Sequence, residues 1–268
     1  MRSLPERITG QFQAPVAGTS PDVREKLRRM KSAGIALRTV LDAVAAAVRP
    51  GINTFELERI ARSKIRELGV KPAFYRYRNY PCYLCTSINE EIVHGIPREG
   101  KRLREGDIIS IDCGVRVDGY YSDAAVTLPV GEVEPRIQRL IDVTREALEK
   151  GISEARVGNR VGHISFAIQQ HVQQHGFYVI KDFVGHGIGK QLHEEPQVPN
   201  YGVPEEGHLL TEGMVLAIEP MVSMGTSLSR VLEDGWTAVT ADRSCSAHFE
   251  DCVAITTSGP LVLTKGFN

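Results

Sequence analysis

The sequence predicts an α+β fold in which two helices followed by a set of strands occur twice. Four segments carry apolar residues at every third or fourth position, which is the period of an amphipathic helix. The segments come in two pairs, and each pair is followed by short apolar runs separated by glycine and proline, as is typical of strands. No low-complexity linker separates the two parts. We therefore expect a flexible extension over residues 1–20 and a single two-part domain over residues 21–268.

The first pair of helices is bounded by clear start and stop signals. The first helix begins at Pro21, and Pro50-Gly51 stops it. The second begins at Asn53, with Glu56 three residues later as in a capping box, and runs to about Leu68.

The second pair follows a β-rich stretch over residues 83–128. Pro135 lies in the first turn of the third helix, which we expect Gly151 to end. The fourth helix begins near Val161 and closes near Gly176. Residues 177–263 again read as short strands.

Composition excludes several classes of function. The chain has 268 residues and a net charge of −1, from 32 basic and 33 acidic side chains, so nonspecific attraction to nucleic acid or membrane is not expected. No apolar stretch approaches the roughly 20 residues of a membrane span. The five cysteines are scattered, which fits reduced thiols better than a disulfide framework. These features predict a soluble, cytoplasmic protein.

A predicted hairpin places two aspartates side by side. Asp118-Gly119 separates two β-prone runs, which is a strong signal for a two-residue turn. With that turn, Asp112 pairs opposite Ala125 and Asp123 opposite Gly114, so both carboxylates face the same side as diagonal neighbours. Two such carboxylates repel and lose hydration, and a shared cation resolves both costs. The alternative is that one of them is a solvated edge residue.

The second half of the sequence supplies complementary groups. His186 and His193 lie in and just after a glycine-rich segment, Glu219 ends an apolar run, and Glu250 precedes another. Taken singly, a lone histidine is usually structural, and a glutamate beside a strand end is usually solvated. Together with the aspartates they give a set of carboxylates and imidazoles that suits two divalent ions such as Mn, Fe, Co or Zn. Four carboxylates would balance the charge of two such ions.

Competing motifs are weaker. Lys190 is followed by Gln191 where a phosphate-binding loop needs Ser or Thr, and no Gly-x-Ser-x-Gly elbow occurs. Cys82 and Cys85 have the spacing of a zinc or redox pair, but no second pair accompanies them. We expect one of these cysteines to line a pocket instead.

Taken jointly, several blocks resemble a known family, the type I methionine aminopeptidases, whose α+β "pita-bread" fold is shared with prolidases, aminopeptidase P and creatinase. The resemblance covers about residues 21–263. The blocks are Thr86-Ser87-Ile88-Asn89-Glu90 with Val93-His94-Gly95-Ile96-Pro97, the hairpin from Asp112 to Asp123, Gly185-His186-Gly187-Ile188-Gly189 with His193-Glu194-Glu195-Pro196, Ile218-Glu219-Pro220, and Asp234-Gly235-Trp236-Thr237 with Glu250.

The resemblance implies a function and a role for each residue. A hydroxide bridging two divalent metal ions would attack the scissile carbonyl of the initiator methionine of a nascent chain, where the second residue is small. Glu219 would shuttle the proton, and His193 and His94 would contact the substrate. The metal ligands would be Asp112, Asp123, His186, Glu219 and Glu250, with Asp123 and Glu250 bridging. The methionine side chain would contact Tyr77, Tyr80, Cys85 and Trp236.

Alternatives within the fold are an Xaa-Pro peptidase and a catalytically silent binding module. Only 25 residues separate His193 from Glu219, which disfavours the type II enzymes with their long insertion there. The roughly twenty residues before the first helix leave no room for the large N-terminal domain of prolidases. Leu192 and Phe74 depart from the family's usual pocket residues, so fine specificity stays open. We expect a monomer with transient ribosome contact and no nucleic-acid motif.

Overall fold

The computed structural model describes residues 20–265, so residues 1–19 of the expected N-terminal extension lie outside the described part. The first half contains α1 (Pro21–Ala45) and α2 (Thr54–Leu68), then β1 (Lys71–Pro72), a 3₁₀ turn (Tyr77–Asn79), β2 (Leu84–Ile88), β3 (Glu91–Val93), β4 (Ile108–Val117) and β5 (Tyr120–Pro129). The second half contains α3 (Pro135–Glu154) and α4 (Val161–Gln174), then β6 (Tyr178–Val179), β7 (Gly185–Gly187), β8 (Glu194–Val198), β9 (Val215–Ile218), β10 (Met221–Ser223), β11 (Ser229–Val231), β12 (Ala238–Thr240), β13 (Ser246–His248), β14 (Asp251–Thr256) and β15 (Gly259–Val262). The predicted order of two helices and then strands, repeated once, is confirmed. None of the helices among residues 20–265 combines the length and the apolar character needed to cross a bilayer.

Local capping sets both helix starts in the first half. The Ser20 hydroxyl accepts a hydrogen bond from the Val23 N–H, and Asn53 and Glu56 form the predicted capping box at α2. The end of α1 differs from the prediction, since the helix stops at Ala45, five residues before Pro50. The next residues form a turn, in which the Val48 N–H donates to the Ala45 carbonyl three residues back.

Gly151 does not end α3, and the prediction that it would is wrong. The helix continues to Glu154, and Gly151 is buried within it where α3 faces α4. A Cβ atom at this position would lie 2.9 Å from both Cδ1 and Cγ1 of Ile168 on α4. The glycine therefore allows the two helices to approach closely. The fourth helix ends at Gln174, and Gly176 just beyond it has a φ of 74°, so the predicted end near Gly176 is confirmed.

The helices pack on one face of the sheet that contains β4 and β5 and on strands of the five-stranded sheet of the second half. Ile109, Ile111 and Cys113 of β4 pack in one hydrophobic cluster with residues of α1 and α2. Because side chains alternate along a strand, Asp112 points to the opposite face. A second cluster packs α3 and α4 on the strands of the second half, where the five-stranded sheet has the order β15-β14-β9-β7-β8.

Candidate metal centre

The hairpin of β4 and β5 places Asp112 and Asp123 as predicted. Asp118 and Gly119 form its turn with φ values of 49° and 87°, the left-handed geometry of a tight hairpin turn. Asp112 lies opposite Ala125 and Asp123 opposite Gly114. Each aspartate has a buried Oδ1 atom that accepts no hydrogen bond.

Strand pairing brings three groups of the second half to the same place. β7, which carries His186, pairs with β9 so that His186 lies opposite Ala217, and Glu219 directly follows β9. Glu250 directly precedes β14. The Glu250 N–H donates to the Ala125 carbonyl at 3.0 Å, and the Ala125 N–H donates to the Glu250 carbonyl at 3.3 Å. Because Ala125 is the partner of Asp112 across the hairpin, this bridge connects the carboxylates of the two halves.

His186 is oriented as a nitrogen ligand. Its Nδ1 atom lies 2.9 Å from the Gly187 carbonyl, which can only accept, so Nδ1 carries the ring hydrogen. The Nε2 lone pair is then free, and Nε2 lies 3.6 Å from Glu219 Oε1. Burial lowers the pKa of His186, which keeps the ring neutral and able to bind a metal.

Burial makes the four carboxylates costly to ionise without a cation. It raises the pKa of Asp112 to about 7 and that of Glu219 to about 8. The pKa values of Asp123 and Glu250 lie well above their ordinary range, first because of burial and second because of the neighbouring carboxylates.

The donor set fits divalent metal ions. Asp123, His186 and Glu250 each offer a ligand atom within 4.8 Å of the others, and so do Glu219, His248 and Glu250. Glu250 is common to both groups, as expected of a bridging carboxylate. Its buried Oε1 atom accepts no hydrogen bond, and cations would satisfy this oxygen and those of the aspartates.

A cavity of about 160 Å³ opens over these groups. All eleven residues predicted from the sequence line it: Tyr77, Tyr80, Cys85, His94, Asp112, Asp123, His186, His193, Glu219, Trp236 and Glu250. Phe74 and Leu192, the two positions that depart from the family pattern, complete the apolar part of the wall.

Two further histidines line the cavity outside the carboxylate cluster. The ring of His193 lies 4.3 Å from that of His186, and its Nδ1 atom lies 2.8 Å from the Tyr77 hydroxyl. His94 has a φ of 60° and contacts Phe183 and Trp236 edge-on. Partial burial lowers the pKa of each of these histidines to about 4, so both imidazoles are neutral at neutral pH.

The apolar end of the cavity is rigid. The single hydroxyl hydrogen of Tyr80 is shared between the carbonyls of Leu84 and Gly95, at 2.9 and 3.2 Å. The polar tip of this ring is therefore occupied by the backbone. Trp236 packs edge-on against Tyr80 with 5.0 Å between ring centroids. Cys85 lies opposite Asp112 in the pairing of β2 with β4, so it borders the metal centre.

The sequence reasoning missed His248 and Arg78. His248 is 1% exposed and faces Glu219. Its position two residues before Glu250 was a usable signal, since alternate residues of a strand share a face. Burial lowers its pKa. Arg78 also lines the cavity, from the 3₁₀ turn, where its φ is 46°, and no motif indicated it.

The raised carboxyl pKa values predict a pH-dependent stability that metal abolishes. Above about pH 5, the unfolded counterparts of Asp112 and Glu219, with ordinary pKa values of 3.8 and 4.5, have released their protons. The folded metal-free protein still holds these protons until the pH passes the folded pKa values of about 7 and 8. The folded state binds more protons, so its free energy of unfolding falls as the pH rises, by an amount on the order of several kcal/mol. The lowered pKa values of His186 and His248 act in the opposite direction, but only below about pH 6.5.

Urea unfolding across this pH range, with a chelator and with saturating Mn²⁺, measures the effect. We expect a falling curve for the metal-free protein and a much flatter one for the metal-loaded protein. A flat metal-free curve would show that these carboxyls do not titrate as the structure indicates.

Comparison with known proteins agrees with this geometry. Residues 28–257 match the sequence profile described as Metallopeptidase family M24. The chain is 46% identical to a methionine aminopeptidase of Clostridium acetobutylicum over 239 residues, which are 89% of this chain and 96% of the relative. It is 41% identical to methionine aminopeptidase 1 of Mycobacterium tuberculosis over 271 residues, covering 99% and 96% of the two chains.

Solved structures show the same likeness. The crystal structure of a methionine aminopeptidase from Thermotoga maritima matches with a TM-score of 0.89 at 47% identity, covering 93% of this chain and 99% of that one. A prolidase from Pyrococcus horikoshii matches with a TM-score of 0.73 at 22% identity, covering 91% of this chain and 63% of the prolidase. The second likeness shows the shared fold alone.

Proposed function

The chain belongs to metallopeptidase family M24, among the methionine aminopeptidases, and on this premise we propose that it removes the N-terminal methionine from newly made proteins whose second residue is small. One observation carries the proposal. Four largely buried carboxylates and His186 line the same cavity as an apolar wall formed by Tyr80, Trp236, Phe74 and Leu192. A peptide bond over the carboxylates would place the first side chain against that wall.

The chain's own ligands would hold two divalent metal ions. Asp112, Asp123, His186, Glu219 and Glu250 are the proposed set, with Asp123 and Glu250 shared between the ions. When bound, the ions would supply the activation of a water molecule for attack on the peptide carbonyl. Their identity among Co, Mn, Fe and Zn stays open, because carboxylate and imidazole ligands suit all four.

Glu219 is the proposed proton carrier. The family resemblance implies this role, and the Glu219 carboxylate lies within the proposed ligand set, 3.6 Å from His186 Nε2. The Asn200 side-chain amide donates to the Glu219 backbone carbonyl at 3.0 Å, which fixes the residue at the end of β9. The carboxyl would take a proton from the attacking water and deliver it to the departing amine.

Two neutral imidazoles would bind the substrate. If Tyr77 donates its hydroxyl hydrogen to His193 Nδ1, the other ring nitrogen of His193 carries its hydrogen and can donate to the carbonyl oxygen as negative charge develops there. His94, held between Phe183 and Trp236, would contact the amide of the second residue.

The apolar wall accounts for methionine. Tyr80, Trp236, Phe74 and Leu192 offer aromatic and aliphatic surface, and Cys85 adds a sulfur atom. Such a wall suits an unbranched, polarisable thioether side chain. A bulky second residue would collide with His94, which its aromatic neighbours prevent from moving aside.

We expect release of methionine from Met-Ala peptides at least about tenfold more efficiently than from Met-Leu peptides, in kcat/KM, with no cleavage of Ala-Pro peptides. The assay compares the three substrates with chelator and with added Mn²⁺ or Co²⁺. The chelated enzyme is expected to be inactive on all three.

Each alternative has its own outcome in this assay. Preferred cleavage of Ala-Pro would assign the chain to the Xaa-Pro peptidases. Inactivity toward all three peptides with every metal would favour the catalytically silent binding module. Similar efficiency on Met-Leu and Met-Ala would refute the argument from His94.

The finer parts of the proposal concern where the enzyme works. It would act in the cytoplasm as a monomer, with transient contact to the ribosome as nascent chains emerge. All five cysteines are free, which supports a reducing compartment.

A further inference from the structure

The backbone of His248 is held firmly at the metal centre, but neither ring nitrogen has a hydrogen-bond partner among residues 20–265. Its backbone N–H donates to the Thr127 hydroxyl, and its carbonyl accepts from the same hydroxyl, both at 2.8 Å. The residue is 1% exposed, and neither ring nitrogen makes a hydrogen bond. A buried polar atom without a hydrogen-bond partner is destabilising, so this ring is suited to a ligand that residues 20–265 do not provide.

The position of the ring identifies that ligand. His248 Nε2 lies 3.7 Å from Glu219 Oε2, and His186 Nε2 lies 3.6 Å from Glu219 Oε1. The two imidazoles therefore flank one carboxylate almost symmetrically, at distances too long for hydrogen bonds. Nitrogen and oxygen atoms bound at about 2.1 Å to one ion are separated by roughly 3–3.6 Å. The spacing is thus close to that of atoms sharing an ion.

We propose that His248 is a sixth protein ligand of the metal pair and binds, through Nε2, the ion held by Glu219 and Glu250. Glu219, His248 and Glu250 offer ligand atoms within 4.8 Å of one another. The inference rests on the proposed metal centre and adds a second imidazole to it. A second nitrogen ligand favours Zn and Co over Mn.

Counting imidazoles tests the proposal directly. X-ray absorption of the protein loaded with two equivalents of Zn²⁺ gives the number of histidine ligands per metal pair. The surface residues Glu146, His171 and His175 could also hold an ion, so the protein should carry His171→Gln and His175→Gln. We expect two imidazoles per pair of ions, from His186 and His248. A count of one would overturn the proposal and leave His248 as a mere neighbour of Glu219.

A substitution of His248 distinguishes loss of a metal ligand from loss of folding. His248→Gln in the same background should lower the count to one and weaken binding of one ion at least about tenfold, more for Zn than for Mn. His163→Gln is the control. His163 lies at the start of α4 and does not line the cavity, so this variant should keep both the number of imidazole ligands and the metal affinity. Unchanged affinity in a folded His248→Gln protein would contradict the proposal.

The outcomes also distinguish failure of the proposed metal centre from failure of the proposed role of His248. If the parent protein binds no pair of ions, the proposed metal centre fails and this inference fails with it. If a pair binds with one imidazole, only the role of His248 fails. Should His248→Gln not fold, the count in the parent protein still decides.

Discussion

Glu250→Gln and Asp123→Asn are each expected to abolish binding of the full metal pair and to lower kcat/KM for a Met-Ala peptide by about 10³-fold or more. Each change removes one of four carboxylates that balance two divalent ions, at a residue proposed to be shared by both. Metal ions contribute several kcal/mol to lowering a barrier of this kind, and each 1.36 kcal/mol is a factor of ten. Elemental analysis and peptide kinetics measure the two effects.

Asp251→Asn is the matched control, because it alters the carboxylate next to Glu250. Its Oδ1 atom accepts from the Thr264 hydroxyl at 2.6 Å, and it does not line the cavity. This variant should bind two ions and keep its activity. Full activity of Glu250→Gln in a preparation shown to be metal-free would refute the proposed centre.

The metal-free Glu250→Gln protein should be at least as stable as the metal-free parent. The change removes a carboxyl whose own pKa is raised by burial and by the repulsion of Asp123, Glu219 and Asp112. Melting temperatures in chelator therefore distinguish loss of metal binding from loss of folding.

His193→Ala and His94→Ala should each lower kcat by about 10²–10³-fold while two metal ions still bind. The reason is the loss of a neutral N–H donor aimed at the charge that develops on the carbonyl oxygen, or of the contact to the next amide. His186→Ala, by contrast, should lose metal, since Nε2 of that ring is the proposed ligand. Turnover and metal stoichiometry on the three variants separate these roles.

Stability measurements complete the comparison. His193 is only partly buried, so its truncation should shift the melting temperature less than truncation of a core residue. His94 packs against Phe183 and Trp236, so its truncation should also cost stability. His175→Ala is the control and should show normal turnover, because His175 is an exposed residue that directly follows α4. Near-normal kcat in His193→Ala would refute its assignment to the reaction.

Structural features that depend on residues close together in the chain could be predicted from the sequence alone. The capping box of Asn53 and Glu56 depends on residues three apart, and the turn at Asp118-Gly119 requires φ values that favour these residue types. Once that turn is fixed, the two-residue period of strands determines that Asp112 and Asp123 share a face. The sequence also indicated the family, because its motifs lie in short contiguous blocks.

Features set by distant contacts needed the tertiary structure. Gly151 reads as a helix stop, but its role depends on Ile168 of the next helix. The bridge from Ala125 to Glu250 joins residues far apart in the chain and brings the two sets of carboxylates together. His248 shows most clearly which feature the sequence alone does not predict. The two-residue period of a strand indicates which face the side chain of His248 occupies. Only the packing of the two halves brings that face to Glu219, where both ring nitrogens lack a hydrogen-bond partner among the described residues.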